Sequence, residues 1–507
     1  MDVLSNLMMG FGVVLTPFNL SIALLGAFVG TAVGVLPGLG PTATISLLLP
    51  ISVYLDQTSA VILLAGIYYG AMYGGSITSI LIKIPGEAAS VITCIDGYQM
   101  ARRGRAGAAL GISALGSFVA GIAATIGIAW VGPQVASVAL MFGPVEKAAM
   151  LVLGLTLILG IGESSRARAV AMVGLGLLLG TAGVDIVSGE ERFVFDIPPL
   201  RDGFSIPVVA MGLFGLSEVL ILAGQKETKA EILGYSRRLR DLLPNREEAR
   251  RSIGPVVRGS GIGFLLGLLP GGGAMISSFV SYLVEKKISR RPEEFGQGAV
   301  EGVAGPEAAN NAGAQASFIP LLCLGIPANA VIGVIMGALL MQGIVPGPRL
   351  IVEHPEVFWG VIASMFVGNL MLVLLNIPLV GLFVSLLRIP QGLMSVLIVM
   401  FCVIGAYSLN NSMFDVIAMI GFGFLGYGLR RSGFDIAPLL LAFVLGPMFE
   451  QSLRQGLIIG YGSPMVFLQS PISVAFLALA LVVFAAPMIS RIFGGRRALA
   501  ALAGKEE

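Results

Sequence analysis

Two short phrases, each written twice, carry most of the chemistry this chain can offer. The first copy reads GVLPGLGPTATIS (34–46), followed by YYGAMYGGSITSILIKIPGEAASV (68–91). The second reads GLLPGGGAMISSF (267–279), followed by NNAGAQASFIPLLCLGIPANAV (310–331). Each pairs an L-P-G-x-G breaker with a later I-P-[GA] breaker inside apolar sequence. Proline removes a helix hydrogen bond and glycine admits turn geometry. Helices should therefore be interrupted at Pro37, Gly38, Gly40 and Pro41 and again at Pro85 and Gly86. In the second copy the same holds at Pro270, Gly271, Gly272, Gly273 and Pro327. Unwound backbone at membrane depth is tolerated only where protein or a water-filled cavity satisfies it. Helix N-termini facing such a cavity present free N–H groups and a positive dipole end, which suits an anion. Freed carbonyls and hydroxyls suit a small cation, so Na⁺ near the hairpin tips is the metal ion the pattern would admit. Thr42, Ser76, Thr78, Ser79, Asn310, Asn311, Gln315 and Ser317 supply neutral polar atoms beside the breakers. The expected substrate- or ion-binding residues are Gly38, Gly40, Pro41, Thr42, Gly75, Ser76, Thr78, Lys83, Gly271, Gly272, Gly273, Asn310, Asn311 and Ser317. Small residues are also the ordinary packing surface between membrane helices, and Ser or Thr there often bonds back to its own helix. Matching breakers in two halves nevertheless point to a secondary transporter's binding site.

Charged groups in the apolar segments are few. A lysine at the centre of a membrane helix costs roughly 2.5–3.5 kcal/mol, so Lys83 needs a partner or water. It is read here as lying beside the cavity, replacing a cation or pairing a substrate carboxylate; the alternative is a side chain snorkelling to the interface near Glu87. Glu307, in GPEAANNAG, is expected to cap the following helix, with cation binding as its second role. Glu146, Glu218 and Glu450 should be interfacial, and the single histidine, His354, belongs to an outer loop. One histidine leaves no H-E-x-x-H and no Ser–His pair. No P-loop string is present. LPGLGPT lacks the strand–turn–helix setting of a dinucleotide site, and no two carboxylates are placed for chemistry, so no enzyme and no bound cofactor are expected. Cys94, Cys323 and Cys402 sit far apart in apolar sequence and read as buried thiols.

The elements that must position these residues follow from composition. Of 507 residues 56% are hydrophobic and 12% charged, about half the charge of a soluble domain. At ~20 residues per span this length allows about a dozen crossings, which excludes a soluble enzyme and a nucleic-acid partner and makes the lipid bilayer the solvent. Basic residues cluster at 102–105, 166–168, 226–258, 286–291, 388, 430–431 and 491–505. By the positive-inside rule these are cytoplasmic. Apolar runs at 107–130, 141–161, 169–187, 205–224, 357–387, 391–409, 413–429 and 472–490 then alternate in direction consistently, leave the C-terminus cytoplasmic, and set Trp130 and Trp359 in an outer aromatic belt. The first basic residue is Lys83, so no secretory n-region is read at the start. Between Arg258 and Glu285 there is room for two half-helices only, each too short for ~30 Å of hydrocarbon; a re-entrant hairpin entering from the cytoplasm fits. The first copy, lacking basic flanks between Asn19 and Asp56, fits a hairpin from outside. The expected fold is an all-α polytopic membrane protein of two inverted structural repeats, with about 10–12 transmembrane helices plus re-entrant hairpins and broken helices. Residues 1–224 form the first half, 225–258 a charged cytoplasmic connector, and 259–507 the second half.

At these residues the chain resembles the large membrane subunit of the tripartite tricarboxylate transporter family. The resemblance runs through GVLPGLGPTATISLLLP (34–50), YGGSITSILIKIPGEAASVITCIDGYQMARRGRAGAAL (73–110) and GLLPGGGA (267–274). It continues through GPEAANNAGAQASFIPLLCLGIP (305–327), QGIVPGPRL (342–350) and GFDIAPLLLAFVLGPMFEQSLRQGL (433–457). It implies a secondary active importer of citrate-like carboxylates in a bacterial inner membrane, driven by a Na⁺ or H⁺ gradient, with elevator-type alternating access. It also implies two partners, a small membrane subunit and a periplasmic solute-binding protein. The chain departs from the family pattern at Lys83, where an uncharged polar residue is usual, at Cys323, at Ala328-Asn329 and at Gly462-Ser463, which bears on coupling ion and substrate. Midplane breakers also build selectivity filters, so an anion channel or facilitator without ion coupling is the alternative.

Overall fold

The computed structural model describes residues 3–36, 40–159, 165–185, 188–224, 232–235, 238–269 and 273–492. Pro37, Gly38, Pro270, Gly271 and Gly272 lie outside the described residues. The principal helices of the first half are α1 (Val3–Val14), α2 (Pro17–Val35), α3 (Pro41–Ser52), α4 (Gln57–Ile82), α5 (Thr93–Met100), α6 (Ala106–Ala139), α7 (Pro144–Ile158), α8 (Arg166–Gly180) and α9 (Ile206–Ala223). The second half holds α10 (Arg246–Gly267), α11 (Gly273–Ile288), α12 (Glu301–Ala316), α13 (Ala330–Met341), α14 (Pro355–Asn376), α15 (Gln391–Asn410), α16 (Met413–Arg431), α17 (Ala437–Ile459) and α18 (Pro471–Ile492). The only sheet among the described residues is a two-stranded hairpin, Gly183–Val184 against Glu191–Arg192.

The I-P breakers interrupt their helices as their chemistry requires. The L-P-G-x-G phrases separate α2 from α3 and α10 from α11, and the I-P phrases separate α4 from α5 and α12 from α13. Seven helices among the described residues are long and apolar enough to cross a membrane, and shorter apolar helices include α1, α3 and α13. Of these shorter helices, α3 and α13 are 12 residues each and begin directly after the breakers. The chain is a helical membrane protein.

Each half builds its centre from the same close helix pair. In GAFVGTAVG of α2, Gly26, Gly30 and Gly34 face the carbonyls of Leu63, Ile67 and Ala71 on α4; a Cβ there would lie 2.4–2.6 Å from those oxygens. In GSGIGFLLG of α10, Gly259, Gly263 and Gly267 face the carbonyls of Gly305, Ala309 and Gly313 on α12, with hypothetical Cβ distances of 2.3–2.5 Å. Small residues at every fourth position let the backbones touch. The two inner helices are sunk completely: α4 is buried from Thr58 to Ile82 and α12 from Gly302 to Ala316.

One sequence-based placement is corrected. Trp359 is not in an aromatic belt: it is 1% exposed, stacked edge-on to Phe358, with its backbone against Gly10. Trp130 is exposed. The last residues of the stretch read as the connector 225–258 are helical. Asn245 and Glu248 form a reciprocal capping box that starts α10 at Arg246, well before Arg258. Arg258 and Glu285, the expected flanks of the second hairpin, pair with each other in a two-pronged ion pair (Nε–Oε1 2.8 Å, Nη2–Oε2 2.6 Å).

Candidate functional site

Three helices and one 3₁₀ turn begin at a single cavity of about 940 Å³. Its wall includes Gly40, Pro41 and Thr42 at the start of α3, and Ala274 and Met275 in the first turn of α11. Pro85, Gly86, Glu87 and the turn Ala88–Val91 contribute a third wall, and Asn329, Ala330 and Val331 at the start of α13 a fourth. First-turn N–H groups have no partner within their own helix; here the Ala89 and Ile332 N–H groups are taken by side-chain caps.

The two I-P segments are superimposable in their logic. Each follows a helix whose last turn ends on a left-handed residue, Lys83 (φ 59°, ψ 26°) in one half and Gly325 (φ 71°, ψ 30°) in the other. Four residues later each supplies an extended N-cap. Glu87 accepts from the Ala89 N–H (2.9 Å) and Asn329 from the Ile332 N–H (3.0 Å). These caps then cross to the other half: Asn310 of α12 donates to Glu87 (3.0 Å), and Asn329 donates to the Tyr68 hydroxyl of α4 (3.0 Å). Gly86 is required here by close approach, since a Cβ would lie 2.1 Å from the Gly34 carbonyl oxygen and 2.6 Å from the Gly75 Cα. The facing wall belongs to α8, α9, α16 and the Gly433–Ala437 segment. There Arg430 pairs with Glu218, and Arg168 donates to the Gly433 carbonyl (3.0 Å) and lies over the Phe434 ring. Asp435 caps α17 through the Ala437 N–H.

Of the residues singled out in the sequence, Gly40, Pro41, Thr42, Pro85 and Gly86 line this cavity. Asn310 stands immediately behind it through Glu87. Gly75 backs the Glu87 side chain, its hypothetical Cβ 3.0 Å from the Glu87 Cγ. Gly273 starts α11 packed on the Leu266 carbonyl, and Pro327 lies between Gly325 and the Asn329 cap. Thr78 bonds to the Gly75 carbonyl, and Ser79 bonds to the Gly75 and Ser90 carbonyls. Ser317 bonds back to Ala314. Lys83 does not line the cavity; it is exposed, its ammonium 5.7 Å from the Tyr98 ring centre.

Glu307 does not cap a helix. It sits in the middle of α12, fully buried, where Ser76 (2.5 Å), Ser113 (2.9 Å) and Thr93 donate to its carboxyl. One and two turns on, Asn311 donates to Ser117, and Gln315 accepts from Thr125 and donates to Asn369 (3.0 Å). The polar face of α12 therefore meets a matching row on α6. Tyr68, Glu87, Asn329, Arg168, Glu218 and Arg430 were not assigned to the site from sequence. Aligning IPGE with IPAN would have paired Glu87 with Asn329; nothing local marks Arg168 or Arg430, which look like ordinary loop cations. The three cysteines are free and buried, as expected, and among the described residues no cluster of three metal-ligating side chains occurs.

Against known proteins, the family model described as Tripartite tricarboxylate transporter TctA family matches residues 20–441. The chain belongs to that family. It is also similar to a 52.8 kDa protein from the TAR-I ttuC' 3' region of Agrobacterium vitis, 52% identical over 481 residues, covering 95% of each chain. A second protein, from the TAR-II ttuC' 3' region of the same organism, is 57% identical over 220 residues, covering 43% of this chain and 91% of its own. No solved structure matches. Membership makes this chain a membrane subunit of a tripartite tricarboxylate transporter, and the family is one of transporters and not of enzymes. A tripartite assembly brings partner subunits with it.

Proposed function

We propose that this chain forms the translocation path of a secondary importer of tricarboxylates or related carboxylates in a bacterial inner membrane. A periplasmic solute-binding protein delivers the anion, a small membrane subunit completes the assembly, and an ion gradient drives the cycle. The observation that carries this reading is the meeting of broken-helix N-termini from both halves at one cavity faced by Arg168 and Arg430. Helix N-termini and guanidinium groups recognise carboxylates. Thr42, Gly40 and Asn329 would orient the anion, and Arg430 would exchange Glu218 for a substrate carboxylate. The duplicated glycine pairs and cross-bonded caps support two repeats, inverted in the membrane with re-entrant first hairpins. With α2–α4 and α10–α12 locked backbone to backbone, each repeat core would move as a block against α8, α9 and α16, which is elevator-type alternating access.

The test is uptake into proteoliposomes holding the transporter with its partner subunits. Labelled carboxylate should enter only with both the binding protein and an imposed Na⁺ or H⁺ gradient present. Entry at full rate with neither, or unitary currents in a bilayer recording, would overturn the proposal.

A further inference from the structure

The cavity leaves one buried acid unused. Glu307 is 0% exposed, and among the described residues its carboxyl meets neither a basic side chain nor a backbone N–H. Its neighbours are the hydroxyls of Ser76, Thr93 and Ser113, brought by α4, α5 and α6. The other titratable groups around α12 are spoken for or neutral. Asp96 on α5 accepts from Tyr282 of α11 and from the Gly296, Gly298 and Ala299 N–H groups. Glu285 on α11 pairs with Arg258 of α10, Glu301 at the start of α12 with Arg251, and Glu87 holds the Ala89 N–H and Asn310. Cys94 of α5 is a buried thiol, and Tyr73 on α4 is buried with no hydrogen-bond partner for its hydroxyl. A carboxylate taken out of water without a counter-charge is strongly disfavoured.

The count of hydrogens points the same way. The Ser76 Oγ lies 2.5 Å from the Glu307 Oε2 and 3.2 Å from the Met72 carbonyl oxygen. One hydroxyl hydrogen can serve both acceptors only by being shared between them. A proton on Glu307 resolves this: the carboxyl donates to Ser76, and Ser76 donates to Met72. Oxygen–oxygen contacts of 2.5 Å and 2.9 Å around Oε2 leave no space for a metal ion between them. One turn along α12, the Asn310 and Asn311 side-chain oxygens are buried with no hydrogen-bond partner.

We infer that Glu307 is the proton-carrying group of the transport cycle, neutral in the conformation described here and deprotonated when the repeat core moves. The inference rests on the reading of the chain as an ion-driven importer. Thr93 follows the Ala88–Val91 turn of the cavity wall, and Asn310 holds Glu87, so a shift of the 84–100 segment would take the Thr93 hydroxyl from Glu307 and open that side of the carboxyl. Water on one side supplies the proton that forms the carboxyl O–H, and water on the other side accepts it when that bond breaks.

The test compares wild type with Glu307→Gln in proteoliposomes holding all subunits, with the carboxylate that its own binding protein binds as probe. A gradient of about one pH unit, acid outside, supports about tenfold accumulation per proton carried. Wild type should show it. Glu307→Gln should keep exchange of internal for external carboxylate and lose the gradient-dependent accumulation. Retained pH-driven accumulation in the variant would overturn the inference, as would wild-type accumulation that follows Na⁺ alone. Should Glu307→Gln not fold, Ser113→Ala serves: it should shift both the pH profile of uptake and the infrared band of the protonated carboxyl. Absence of that band from wild type at neutral pH would overturn the inference by itself. A wild type that carries no carboxylate under any gradient counts against the importer reading, while the infrared band still reports on Glu307.

Discussion

At the scale of single residues, the sharpest contrast is between Lys83 and Gly325, which hold the same left-handed turn in the two halves. A non-glycine residue in that region costs roughly 1–2 kcal/mol, partly offset by glycine's greater freedom in the unfolded chain, roughly 0.5–1 kcal/mol. Lys83→Gly should therefore match or slightly exceed wild type in thermal midpoint. Lys83→Val, β-branched at positive φ, should fall by at least about 1 kcal/mol. A valine variant as stable as wild type would show that the turn can relax. Because the Lys83 side chain is exposed and outside the cavity wall, Lys83→Asn should leave uptake unchanged. The sequence marked Lys83 because charge in an apolar run is costly; it could not show that the side chain points out, since that depends on where the preceding helix unwinds. Glu307 was visible as a charge for the same reason, but its role was misplaced. A capping carboxylate and a mid-helix one read alike until the start of the helix is known, and α12 begins at Glu301.

At the scale of elements, backbone contact decides the outcome. Gly263 faces the Ala309 carbonyl, where a Cβ would sit at 2.3 Å, whereas Gly261 on the same helix has nothing within 4 Å. Gly263→Leu should force α10 from α12 and cost about 1–3 kcal/mol or more, and Gly261→Leu should be close to neutral. Thermal midpoints of the purified variants check this, and equal losses at the two positions would count against backbone-tight packing. The breakers and most helix spans were legible in the sequence, because proline and glycine act locally. The glycine stripes were not read as stripes: small residues every four positions signal packing without naming the partner helix. The start of α10 was missed because the Asn245–Glu248 capping box lies in a charged stretch that reads as a solvated connector.

At the scale of the whole molecule, the cavity joins elements far apart in sequence, from Gly40 to Ala437. Such a site is legible only where a repeat announces it, so Gly40, Pro41, Thr42, Pro85 and Gly86 were named from the sequence and Arg168 and Arg430 were not. A carboxylate that fills it should stabilise the folded assembly by RT ln(1 + [L]/Kd), about 2.7 kcal/mol at a hundredfold excess over Kd. The thermal midpoint of the transporter should rise with the bound carboxylate and stay put with its uncharged amide analogue. Arg430→Ala should shrink the rise. Equal shifts with acid and amide would mean that the cavity does not select anions.

The crossed caps have one more implication. Glu87 and Asn329 occupy equivalent backbone turns, yet one is an acid and the other an amide, and their partners, Asn310 and Tyr68, differ as well. The duplicated frame is thus a matched pair in shape and a mismatched pair in charge. Anything held between the halves meets two unlike hands, so a symmetric polyacid would still dock in a single orientation.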